Sequence, residues 1–204
     1  MVSPPPLVRA LQLRIIGLEA LKDVISLFAT SRDVDLDENH SILEQYHAQF
    51  TAAMRPAFTP ETPPDITAIA AQVVAVWISS GVNKTVSDVR RVQSLLVTPL
   101  ETIESPPDAA YNERATTMSR LAVLSSWARM AIIAAEGGES MSYLRTVVQP
   151  HLPALSKHWL SALNDYALIT LPPEYRGQIP VRPSCPCVSC VAVCDHRRQQ
   201  LTDI

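Results

Sequence analysis

Asp65-Ile66-Thr67-Ala68-Ile69-Ala70-Ala71-Gln72-Val73-Val74-Ala75-Val76-Trp77-Ile78-Ser79-Ser80-Gly81 is the stretch on which the fold turns. Ile66, Ile69, Ala70, Val73, Val74, Trp77 and Ile78 recur at the i, i+3, i+4, i+7, i+8 spacing of one helix face. Its ends carry their own signals. Asp65 reads as an N-cap, because a carboxylate there accepts from a free first-turn amide. Gly81 stands where a left-handed C-terminal cap belongs. Pro60-Glu61-Thr62-Pro63-Pro64, just upstream, reads as a connector.

Upstream of that connector, Leu7, Leu11, Ile15, Leu18, Leu21 or Val24, Ile25 and Phe28 keep helical spacing through Ala29, with Gly17 in mid-pattern. After the acidic turn Asp33 to Asn39, a second helix is expected from His40 to Arg55, with Ile42, Leu43, Tyr46, Ala53 and Met54 on its apolar side and Pro56 ending it. Downstream, Thr85 or Ser87 opens a helix carrying Val86, Val89, Val92, Leu95, Leu96 and Leu100, which Pro99 is expected to end or kink. The longest helix is expected from Tyr111 to Ala135, with Ala115, Met118, Leu121, Ala122, Leu124, Ala128 and Ile132 inward and Gly137-Gly138 stopping it. A shorter helix spans Met141 to Gln149, His151-Leu152-Pro153 bends, and Leu155 to Leu171 closes the series with Leu155, Trp159, Leu163, Tyr166 and Leu168 for packing. No segment alternates as a strand does. The reading is all-α, about seven helices joined by short Pro- or Gly-bearing turns, hence antiparallel hairpins. Periodicity alone leaves a closed bundle and an α-solenoid equally open.

Composition narrows the function classes. The 204-residue chain is 47% hydrophobic, so it can bury a core. Five glycines in the whole chain argue against phosphate-cradling loops and a turn-dense β fold. The 17 prolines cluster between elements. A net charge of -3 leaves no footprint for nucleic acid or an acidic membrane. No run reaches the roughly 20 apolar residues of a membrane span; the longest are broken by Gln72 and Arg129. The N-terminus lacks the basic flank and pure apolar run of a secretory signal. All four cysteines lie from Cys185 to Cys194, so no disulfide frames the helices and a reducing compartment is expected.

Several blocks together carry a resemblance: Ala70 to Val82 (AAQVVAVWISSGV), Asp88 to Val97 (DVRRVQSLLV), Tyr111-Asn112-Glu113 with Ala115 to Met118, Leu121 to Leu124 with Trp127-Ala128, Pro153 to Ser156, Trp159-Leu160, and Leu163 to Pro172 (LNDYALITLP). In order and spacing they resemble the HEAT repeat-containing protein 5 family, which includes the fungal large accessory protein of clathrin adaptor protein complex 1. The resemblance is most specific over about residues 65 to 175. These are packing and turn residues, and they point to no active site. The resemblance implies a HEAT-like α-solenoid segment, with the helix His40 to Arg55, the Pro56 break, the Asp65 turn and the helix Ile66 to Ser80 forming one repeat. Family members are much longer chains, so it also implies a piece of a longer scaffold. By resemblance, the expected partners are adaptor protein complex 1 and its accessory proteins. The expected setting is cytoplasmic, peripheral at trans-Golgi network and endosomal vesicles, in Golgi-to-endosome and retrograde transport, endocytosis and protein localisation.

Chemistry-bearing clusters are few. Cys185, Cys187, Cys190, Cys194 and His196 offer five soft ligands in one short tail. Zinc modules use two ligand pairs spread around a knuckle, whereas here one Pro186-stiffened loop would have to wrap the ion alone. An unstructured tail over residues 176–204 is therefore favoured, with residues 1–6 likewise unstructured and 7–175 the helical repeat region. No metal or cofactor is expected, and a helical binding module with a zinc-binding tail is the runner-up. Lys84, Arg90 and Arg91 suit an acidic partner or lipid head groups, but Asp88 among them favours a solvated face. His151 and His158, seven apart, lack a third ligand and read as surface or interface residues. Trp77, Trp127 and Trp159 sit on apolar stripes and read as core. Asp23, Asp33, Asp35, Asp37 and Glu38 lack the spacing of a calcium loop. No metalloprotease, nucleotide-binding or nucleophile-elbow motif is present. The expectation is a non-enzymatic scaffold, with self-association through Leu7 to Phe28 or Leu155 to Leu171 where a stack leaves an apolar face bare.

Overall fold

A computed structural model describes residues 6–31, 41–82, 85–104 and 113–172. They form seven α-helices: α1 (Pro6–Phe28), α2 (His47–Met54), α3 (Pro64–Ser79), α4 (Val86–Glu104), α5 (Glu113–Glu136), α6 (Ser142–Val148) and α7 (Leu152–Thr170). Short 3-10 helices cover Glu44–Tyr46, Arg55–Phe58, Gly138–Met141 and Gln149–His151. No strand forms among the described residues. The chain divides into two compact units, Met1–Pro153 and Ala154–Ile204.

In the first unit α3 is the axis. The sequence suggests one apolar stripe on it, yet Ala71, Ala75 and Val76 are buried as well as Ile66, Ala70, Val73, Val74, Trp77 and Ile78. A helix apolar on nearly every side has to be enclosed. α1 and α5 flank α3, and α4 and the Arg55–Phe58 turn pack on it too. The order of contacts separates the two architectures that periodicity leaves open. α1, α3 and α5 follow one another in one layer, and α2, α4 and α6 in a second. Between layers, α3 meets α4, α4 meets α5 and α5 meets α6. Among the described residues, substantial contacts thus run only between helices one or two apart in order, as in a stack of hairpins where each repeat touches its neighbours. The fold is an all-α, HEAT-like solenoid segment.

Aromatic side chains hold the seam between layers. Phe50 on α2 stacks on Trp77 of α3, with ring centroids 4.1 Å apart and planes within 7°. Such a pair adds about 0.5–1.5 kcal/mol beyond the area it buries. Trp127 on α5 is fully buried and aims its indole N–H at the Leu96 carbonyl of α4, 3.4 Å away. One turn on lies Pro99, inside α4, which runs through to Glu104. Of the two expectations for Pro99, an end or a kink, the end is corrected: Pro99 withdraws one donor, and packing against α5 and α6 carries the helix past the gap.

The helix ends follow local capping chemistry at some positions and depart from it at others. Gly81 follows the C-cap Ser80 with φ of 76°, and the Ser80 hydroxyl donates to the Trp77 carbonyl at 2.7 Å. Gly138 takes φ of 59° just after α5 ends. Thr85, rather than Ser87, opens α4: its Oγ1 accepts the Asp88 N–H at 3.2 Å while donating to the Asp88 carboxylate at 2.5 Å. Asp65 is not an N-cap. α3 begins at Pro64, so Asp65 lies inside the first turn, where its charge favours the positive helix end. α2 is shorter than the span His40 to Arg55, its flanks tightening into 3-10 turns. α7 begins at Leu152 and takes Pro153 into its first turn, where no partner for an N–H is needed.

The inward faces also need correction. On α1, Ile25 is fully buried and Leu11, Ile15, Leu18 and Leu21 half-buried, while Val24 and Phe28 are exposed. On α5, Met118, Leu121 and Ile132 are exposed, and Val123, Trp127, Met130 and Ala134 fill the core instead. On α5 polar and apolar residues are mixed around the circumference, so the wheel does not choose a face; Trp127 and Met130 do. In the 3-10 turn before α2 Tyr46 is exposed, and on α2 Phe50 takes the core position. In the second unit Leu155 is buried, whereas Leu163 and Tyr166 are exposed together with Leu160 and Ile169.

Candidate functional site

The first unit carries a groove of about 350 Å³ along the α1–α3–α5 layer. Its walls are Lys22 and Ser26 on α1, and Ser125, Ser126 and Arg129 on α5; Gln72, Ala75 and Val76 of α3 form the floor. Helical geometry explains the set. Lys22 and Ser26, Gln72 and Val76, and Ser125 and Arg129 are each i, i+4 pairs, so each helix offers one short row. The floor is recessed because Ala75 and Val76 are small and buried.

The groove is polar and cationic. Lys22 and Arg129 stand on different walls, and no carboxylate lines the space. Neither cation forms an ion pair among the described residues. Two hydroxyls are already committed: Ser26 donates to the Lys22 carbonyl at 2.9 Å, and Ser126 to the Ala122 carbonyl at 2.7 Å. Ser125 and Gln72 make no side-chain hydrogen bond among the described residues, so both retain donors for a ligand. The arrangement suits a negatively charged group. It contains no nucleophile–base pair and no cluster of histidine, cysteine or carboxylate.

The residues singled out by sequence fall elsewhere. Cys185, Cys187, Cys190, Cys194 and His196 lie outside the described residues, as do Lys84 and the segment Asp33 to Asn39. Among the described residues no group of three or more potential ligands could hold a metal ion. Arg90 and Arg91 are exposed on α4, and Asp88 is held by Thr85. Asp88 also approaches His47 Nε2 at 3.9 Å, within electrostatic reach but beyond hydrogen bonding. His151 is a packing residue, its ring 4.8 Å from Trp127 and tilted by 48°. Gln93 donates its amide to His151 Nε2 at 3.0 Å. Burial lowers the His151 pKa from its ordinary 6.5, partly offset by Glu101, which matches a neutral ring accepting at Nε2. Trp77 and Trp127 are core, as expected, and Trp159 is half-buried. The groove itself has no motif in the sequence. Its one signal is that Gln72 and Arg129 interrupt the two longest apolar runs, and both interruptions open onto it.

Comparison with known proteins accords with this architecture. A family model described as the Laa1/Sip1/HEATR5 HEAT repeat region matches residues 8–168. The AP-1 accessory protein LAA1 of Saccharomyces cerevisiae is 27% identical over 164 residues, 77% of this chain. The chain spans 8% of the length of that relative. No solved structure matches. No helix among the described residues is long and apolar enough to cross a membrane. With the family match running from α1 through nearly all of α7, the chain belongs to the Laa1/Sip1/HEATR5 HEAT repeat family.

Proposed function

We propose that this chain is a non-enzymatic scaffold segment that works as an accessory to clathrin adaptor complexes in vesicle traffic. The observation that carries the reading is the family match over residues 8–168, supported by a relative whose name makes it an accessory of adaptor protein complex 1. The chemistry is consistent with it. Stacked hairpins present an extended surface, and binding energy in such surfaces comes from a few anchor side chains. The finer expectation is a cytoplasmic protein held peripherally at trans-Golgi network and endosomal vesicles, serving transport between them, retrograde sorting, endocytosis and protein localisation. A second expectation is self-association through α1, whose outer side carries exposed Leu13, Ile16 and Leu27.

The test is capture of the purified adaptor complex on the immobilised chain. Enrichment of its large subunits over an unrelated helical solenoid is expected. No enrichment at micromolar adaptor overturns the adaptor role for this segment, while family membership stands on the match itself.

A further inference from the structure

We infer that the groove between α1, α3 and α5 docks a short acidic segment of a partner protein, seated between Lys22 and Arg129. Charge placement is the first ground. In a chain of net charge -3, the groove is lined by two cations and no acid. Neither cation is neutralised by an ion pair among the described residues. Arg129 offers a planar fork that matches a carboxylate or phosphoryl group, and Lys22 offers a mobile point charge. Gln72 and Ser125 supply uncharged donors between them.

The second ground is position. Gln72 is an exposed polar break in the apolar run Ala68 to Ile78 of α3, and Arg129 is the corresponding break in the run Trp127 to Ala135 of the longest helix. Neither residue packs the core, and two elements more than fifty positions apart in sequence bring them to one groove.

Shape selects the class of partner. The space is concave, bounded by helices on two sides and open on the third, which suits an extended chain. An anionic bilayer is a poorer fit, because the donors sit along a furrow between α1 and α5, which an extended chain can enter and a planar surface cannot. The inference rests on the scaffold reading and names the surface through which one contact is made.

Fluorescence anisotropy of labelled peptides tests it on the full chain. The probes are a Glu/Ser peptide, its phosphoserine form, and a Gln/Ser counterpart of equal length. The acidic peptides are expected to bind at least about tenfold more tightly than the Gln peptide, with affinity falling as salt rises. The double variant Lys22→Gln/Arg129→Gln should lose about tenfold or more, whereas Arg90→Gln/Arg91→Gln, removing equal charge from α4, should lose less than about twofold. Circular dichroism on all variants checks that the helices persist. Equal affinity for acidic and Gln peptides overturns the inference, and so does equal loss in the two double variants. Capture of phosphatidylserine vesicles that depends on Lys22 and Arg129, without peptide binding, also overturns it, in favour of a lipid surface. The scaffold reading fails separately: peptide binding without adaptor capture overturns the adaptor role alone, and adaptor capture without peptide binding overturns the groove alone.

Discussion

Two glycines of this chain invite opposite substitutions. Gly17 lies exposed in the middle of α1, and a Cβ added there meets nothing within 4 Å. Its backbone needs no glycine, so Gly17→Ala should raise stability by about 0.5–1 kcal/mol, through lower unfolded-state entropy and better helix propensity. Gly137 is the reverse. A Cβ there would collide with Met141 Cγ, lie 2.7 Å from Met141 Cβ, and sit 2.8 Å from the Ile133 carbonyl oxygen. Gly137→Ala should cost about 1–3 kcal/mol by overpacking the exit of α5. Urea denaturation of both variants checks the signs, and a destabilised Gly17→Ala would mean that α1 is not the regular helix described. Sequence marked Gly137 correctly as a helix stop, since a Gly-Gly pair has little other use there. It did not rank Phe50 as core, because a single aromatic in a short helix gives too few turns to set a face. The structure does so by stacking it on Trp77.

At the scale of elements, the joint among α4, α5 and α6 is secured by two polar contacts that no periodicity announces. Arg145 on α6 donates from Nε and a terminal nitrogen to the Ala134 carbonyl, at 3.3 and 3.1 Å. A cation there satisfies a last-turn carbonyl of α5 and complements its negative end. Arg145→Ala should cost about 1 kcal/mol, and Arg145→Lys should recover only part of it, because the ammonium lacks the fork. The second contact is His151, which accepts from Gln93 of α4 and leans on Trp127 of α5. Its folded-state pKa lies below the ordinary 6.5, so the unfolded chain binds the proton more readily. Stability from this group is therefore full above 6.5 and declines as pH falls through the lowered folded value. Thermal melts across that window should show a fall in midpoint that His151→Asn abolishes, and an unchanged fall in the variant would place the pH dependence elsewhere. Helix number and order were legible from spacing and turn residues, because each depends on a local run. These joints were not legible, because they pair residues such as Gln93 and His151, which are 58 positions apart.

For the whole molecule, stacking explains both what the fold exposes and why a groove lies where it does. Each helix of the α1–α3–α5 layer touches the next, so three elements distant in sequence share one surface, and only the three-dimensional order reveals it. The same order leaves α1 with α3 on one side and no described helix on the other. Its outer face carries Leu13, Ile16, Ala20, Val24 and Leu27, which fall along one line of a 3.6-residue helix. Leu13 is 69% and Leu27 73% exposed, a large apolar area for the face turned away from α3. The stripe is symmetric about Ala20: in an antiparallel pairing with a second copy, Leu13 meets Leu27, Ile16 meets Val24, and the small Ala20 meets itself. On α7 the exposed Leu160, Leu163, Tyr166 and Ile169 are each three residues apart, so they drift around the helix and offer no such line. Self-association is therefore expected through α1. Glu19 and Asp23 border the stripe, and in that register Glu19 of one copy comes within a turn of both Glu19 and Asp23 of the other. Their repulsion is screened by salt, so raising ionic strength should strengthen the dimer, opposite to the salt response of the cationic groove. Sedimentation velocity over a concentration series at low and high salt reads this directly. Leu13→Glu/Leu27→Glu should return the chain to monomer without loss of helix content, and a wild-type monomer at high concentration and high salt would show that the apolar stripe of α1 is not a self-association surface.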